Sequence, residues 1–89
     1  MKAVVSVVGQ DRCGIIAGVC GALSEKNVNI LDISQTVMNG YFTMMMVVDL
    51  TDCREELADL SRFMEKKGTD MGLSIHVQRT DIFEAMHRV

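Results

Sequence analysis

Residues 5–16, VSVVGQDRCGII, decide how this chain folds. A β-branched run breaks at Gly9-Gln10-Asp11-Arg12-Cys13-Gly14 and turns apolar again at helical spacing. Glycine-flanked loops between a strand and a helix are common seats for small anions. Upstream, residues 2–8 (KAVVSVV) are apolar on both alternating faces, which predicts a central strand covered on both sides. Downstream, Ile15, Ile16, Val19, Cys20 and Leu23 mark a helix closed by Ser24-Glu25-Lys26. Gly18 and Gly21 each cost such a helix up to about 1 kcal/mol relative to Ala, so they predict a close approach to a neighbouring backbone.

Working outward, residues 28–38 read as a second strand whose apolar phase shifts from Val28 and Ile30 to Leu31 and Ile33, predicting a bulge near Asp32. Asn39-Gly40 is a hairpin signal, since both residues tolerate the positive φ of a type I′ turn. A third strand over residues 41–50 puts Phe42, Met44, Met46 and Val48 on one face and Thr43, Met45 and Val47 on the other. Asp52-Cys53-Arg54-Glu55 reads as a capping box opening a second helix, with Cys53 its first buried residue. Leu57, Leu60, Phe63 and Met64 form the apolar stripe, and Lys66-Lys67 end the helix before Gly68. Residues 71–79 alternate as a fourth strand, and residues 80–89 predict a short helix with Ile82, Phe83 and Met86 on one side.

The order β-α-β-β-α-β is the ferredoxin-like, α+β arrangement. It predicts a four-stranded antiparallel sheet in the order fourth-first-third-second, two helices on one face and a short C-terminal helix. Residues 1–79 form the domain and residues 80–89 its helical extension. Two helices cover only one sheet face, so Val4 or Val5, Met45, Val47 and Val8 are candidates for exposure on the other. Such a patch predicts a homodimer, or the C-terminal helix folded beneath the sheet.

The 89 residues suffice for one domain, 48% hydrophobic and 24% charged. The net charge of −3, with Lys66-Lys67 the lone basic pair, argues against a nucleic-acid partner. No apolar run approaches the roughly 18 residues of a membrane span, and Met1 to Val5 lack a signal-peptide layout, so a cytoplasmic protein is expected. Cys13, Cys20 and Cys53 are odd in number and lack a C-x-x-C pair, which fits a reducing compartment. Cys13 has neither a base nor a resolving thiol at suitable spacing, and His76 and His87 lack ligand-spaced partners. Neither catalysis, a metal nor a cofactor is expected.

The loop lacks the Lys-Ser/Thr of a P-loop and the central glycine of G-x-G-x-x-G. Acylphosphatases share the element order and hold phosphate before their first helix, but Asp11 would repel that substrate. Physically, the helix tip offers N–H groups from about Gly14 to Ala17 to a carboxylate. Asp11 offers a charge suited to an ammonium group; a free α-amino acid carries both. Equally, Asp11 is placed to cap the helix.

"GQDRCGIIAGVCGALSEKNVNILDIS" followed by "YFTMMMVVDL" resembles an ACT domain, the small-molecule-sensing module of amino-acid metabolism. The likeness spans about residues 2–79. With the ending "DIFEAMHRV", the chain also resembles short free-standing ACT proteins and the ACT repeats of the glycine cleavage system repressor. The resemblance implies paired domains holding an amino acid near the subunit interface. It implies ligand-binding residues Asp11, Arg12, Cys13, Gly14 and Ile15 in the loop, with Asn29 and Ile30 facing the partner's loop. Asp11 would take the ammonium group and the Gly14 and Ile15 N–H groups the carboxylate. Asn29 would hydrogen-bond the ligand, and Ile30 would line its side-chain pocket. The implied function is regulation in trans of an unidentified protein partner; the alternative is a dimerisation module with no ligand.

Overall fold

The structure is a computed structural model that describes residues 1–10 and 13–80. The elements follow the order β1 (Lys2–Gln10), α1 (Ile15–Glu25), β2 (Asn29–Met38), β3 (Tyr41–Asp49), α2 (Leu57–Met71) and β4 (Ser74–Arg79). The antiparallel sheet runs β2-β3-β1-β4, the ferredoxin-like order expected. The proposed C-terminal helix, apart from Thr80, and His87 lie outside the described residues.

Alternation in β1 and β3 builds the core. Ala3, Val5 and Val7 from β1 and Phe42, Met44, Met46 and Val48 from β3 face the helices and are buried. Ile15, Val19, Ala22 and Leu23 of α1 close over them, with Leu60 and Met64 of α2. Apolar burial of this kind is worth about 25 cal/mol per Å2, the main term holding the layers together.

The bulge falls between Ile30 and Asp32, and the hairpin turn has Asn39 at φ 52° and Gly40 at φ 80°, both as expected. The second helix departs from expectation at both ends. Its N-cap is Glu56, without a side-chain cap bond, because Glu55 reaches across to the Lys26 ammonium (2.8 Å) instead of closing a capping box. Cys53 consequently precedes the helix, half-buried against the core. At the other end α2 runs through Gly68 to Met71, capped by Gly72. The fourth strand therefore starts at Ser74. A Cβ at Gly68 would stand 2.9 Å from the Leu73 carbonyl and from Ile75, so the glycine allows α2 to lie against β4. That contact outweighs the roughly 1 kcal/mol helix penalty.

The two glycines of α1 also differ. A Cβ at Gly18 would lie 2.5 Å from the Met71 methyl carbon, a close approach to a side chain rather than a backbone, whereas Gly21 has nothing within 4 Å.

On the sheet face away from the helices, Val8 and Met45 are exposed, but Val4, flanked across the ladder by Val47 and Gln78, is buried; Val5 belongs to the helix side. The largest bare surface is β2, where every residue except half-buried Ile30 is exposed, including Leu31, Ile33, Val37 and Met38.

Candidate functional site

The seven residues singled out from the sequence form two groups. Asp11 and Arg12 lie outside the described residues. Cys13, Gly14 and Ile15 stand where β1 passes into α1. Gly14 is the N-cap at φ 86°, a left-handed conformation that any side chain would strain, and it offers no cap bond of its own. The Gly18 N–H is donated to the Gly14 carbonyl at 2.9 Å, which leaves the Ile15, Ile16 and Ala17 N–H groups without intrahelical acceptors. No acidic residue sits in this first turn, so nothing within the helix offsets the positive end of its dipole. The Ile15 side chain is buried and pins the helix tip to the core, whereas Cys13 is exposed.

Asn29 and Ile30 stand at the opposite end of the sheet. Gln10, which leads into the loop, pairs with Tyr41, while Asn29 pairs with Asp49 at the far end of β3. The two β3 positions are about 26 Å apart at the usual strand rise. Within one chain the two groups cannot touch the same small molecule.

The pair Asn29-Ile30 is itself divided. Ile30 pairs with Val48 and packs against the core. Asn29 is exposed and lines a cleft of about 680 Å3 shared with Ser24, Asn27, Asp49, Thr51, Asp52 and Arg54. Local turns build this cleft. Val28 N–H bonds to Leu23 O at 3.0 Å and Asn27 takes φ 58°, swinging the chain from α1 into β2. Across the cleft, Asp49 accepts bonds from the Thr51 hydroxyl (2.6 Å) and N–H (3.0 Å). Those bonds, hydroxyl first, hold the Asp49 carboxyl below the usual carboxylate range.

Sequence reasoning missed Asp49, Thr51, Asp52 and Arg54 because their stretch was read as a strand end and a helix cap. The signal was Asp49-x-Thr51-Asp52, a polar cluster of the kind that forms a side-chain-stabilised turn. Beside the cleft, Lys26 pairs with Glu55 and stands 4.4 Å above the Phe63 ring. The Glu55 bond pushes the Lys26 pKa up.

The other residues considered from sequence have ordinary surroundings. Cys13, Cys20 and Cys53 are unpaired, and burial pushes the Cys20 thiol pKa up. His76 lies on the sheet face away from the helices, with Nε2 3.1 Å from the Ser74 hydroxyl and Nδ1 3.9 Å from Glu65. Among the described residues there is no group of three or more His, Cys, Asp or Glu side chains suited to a metal ion. No described helix is long and apolar enough to cross a membrane.

Comparison with known proteins agrees with this architecture. Residues 2–78 match the ACT domain family. A UPF0237 protein of Listeria monocytogenes is 47% identical over the full length of both chains. One from Methanocaldococcus jannaschii is 49% identical over 99% of this chain and 98% of its own. Among solved structures, an ACT domain protein from Streptococcus pneumoniae superposes with a TM-score of 0.84 at 45% identity, covering 94% of each chain. The chain belongs to the ACT domain family, whose members are regulatory, non-catalytic modules.

Proposed function

We propose that the protein is a homodimeric sensor of a small ligand, an amino acid, which acts in trans on a metabolic or regulatory partner protein. ACT domains generally dimerise and bind small ligands in regulatory contexts. The observation that carries the reading is the separation of the candidate residues to opposite ends of a sheet whose β2 edge is bare. Antiparallel pairing of β2 with a second copy's β2 about a two-fold axis places the second copy's Asn29 beside this chain's Met38. Met38 and Gln10 both pair with Tyr41, so that junction lies at the sheet end that carries the loop and the α1 tip. Two copies thus complete two sites, each built from one chain's loop and the other's strand start.

In this site the α1 N–H groups receive the carboxylate, Asp11 the ammonium group, and Asn29 a further hydrogen bond, with Arg12 and Cys13 in the loop wall and Ile30 behind Asn29. Residues 1–79 act as the ACT domain and residues 80–89 as its extension. The three unpaired cysteines favour a reducing, cytoplasmic setting.

Thermal denaturation in the presence of each of the twenty amino acids tests the proposal. A ligand at about 100 times its Kd adds roughly 2.7 kcal/mol, raising Tm by roughly 10 °C or more. Absence of any shift at millimolar concentrations refutes the amino-acid reading. Asp11→Ala then separates sensing from the second reading, a dimerisation module without a ligand. Loss of the ligand response with folding retained supports sensing, whereas a plain loss of about 1 kcal/mol marks a helix cap.

A further inference from the structure

The cleft beside Asn29 carries information about the guest that the helix tip does not. A backbone tip and a nearby acid recognise only the groups common to all α-amino acids, so discrimination must come from whatever surrounds the side chain. In the pair Asn29-Ile30, the apolar member is turned to the protein's own core and the polar one to the cleft. The remaining cleft walls are two hydroxyls (Ser24, Thr51), a second amide (Asn27), two carboxylates (Asp49, Asp52) and one guanidinium (Arg54). Asp49 is already engaged by Thr51. Asp52 and Arg54 have no side-chain hydrogen bond or ion pair among the described residues, leaving one acceptor group and one donor group uncommitted. The α1 end and the start of α2 put these walls on the helix side of the sheet, the same side as the α1 tip of a second copy paired through β2.

We infer that the ligand is an amino acid with a neutral side chain that both donates and accepts hydrogen bonds, a carboxamide or a hydroxyl. This rests on the interfacial site proposed above. A branched aliphatic side chain would strip water from Asp52 and Arg54 without replacing its hydrogen bonds. A charged one would meet a like charge on one of those two groups. A site built around hydrogen-bonding groups discriminates strongly against an analogue that lacks them.

The experiment uses the intact chain and near-isosteric pairs: asparagine with leucine, glutamine with methionine, threonine with valine, serine with alanine. Ligand titrations followed by Tm and by calorimetry are expected to show at least one polar member binding about tenfold or more tighter than its apolar counterpart. Binding led by leucine, methionine or valine, or by arginine or glutamate, overturns the inference and leaves the sensing proposal intact. No binding by any amino acid removes both. The double variant Asp52→Ala, Arg54→Ala, at two exposed positions, is expected to keep its unliganded Tm and lose that preference. A preference that survives the double substitution, with Tm unchanged, overturns the assignment to this cleft. Should the variant lose stability, Asn27→Ala reads the same preference from the opposite wall, with the same two outcomes.

Discussion

The two edges of the sheet are finished in different ways. At β4, six residues long, α2 lies close enough that Gly68 has no room for a Cβ, and the outward residues are Ser74, His76 and Gln78. At β2, ten residues long, nearly everything is exposed, and the strand carries Leu31, Ile33, Val37 and Met38 with neither lysine nor proline to blunt it. Protected edges are short, charged or covered. By that standard β4 is a protein surface and β2 is half of an interface. The difference arises in the connections: α2 returns the chain directly to β4, whereas α1 buries one stripe over β1 and β3 and leaves the strand it feeds uncovered.

The strongest attack on this contrast is Leu60→Ala, which removes the fully buried α2 side chain from the covered half. A loss of about 2–5 kcal/mol is expected in chemical denaturation. Ile33→Lys tests the bare half. Ile33 is 42% exposed in the single chain, so the stability of an isolated subunit should change by no more than about 0.5 kcal/mol. The substitution puts two ammonium groups near the two-fold axis of a β2–β2 pair, and sedimentation should show dimerisation weakened by about 2 kcal/mol or more, roughly thirtyfold in Kd. The control, His76→Lys on β4, is expected to leave the molecular mass unchanged; equal sensitivity at both edges would erase the distinction between them.

The smallest expected effect concerns Asp49, opposite the first residue of β2. Its folded pKa is lowered by the Thr51 bonds. The stabilisation is therefore fully present above the unfolded carboxylate pKa of about 3.9 and fades as pH falls through the lower folded value. Thr51→Val should flatten the stability profile in that acidic window and leave it unchanged near neutrality. A profile equally steep in both proteins would remove Asp49 from the acid response.

Much of this architecture is legible in the sequence because its local and tertiary preferences agree. Alternation in β1 and β3, the Asn39-Gly40 turn and the phase slip beside Asp32 each have a short-range cause, and each appears as read. The misreadings occur where distant contacts decide. Glu55 has a capping box within reach but meets Lys26, 29 positions earlier in the chain. Gly68 follows two lysines like a helix stop, yet close packing on β4 carries α2 onward to Met71. The candidate site was partly legible for the same reason. The glycine-bounded helix tip is a local signature, whereas the cleft at Asn29 joins the end of α1 to residues 49–54, and no local pattern links those segments.

The Met71 methyl group seated over Gly18 gives the joint between the two helices some play. A thioether has three rotatable bonds and can follow a small displacement by rotating, where a branched side chain would resist it. When a guest draws on the tip of α1, the shaft of that helix can tilt against Met71 without tearing the packing beneath. The motion then passes to the last turn of α2 and the start of β4, so occupancy at one end of the molecule is felt on its far side by a listener that never touches the guest.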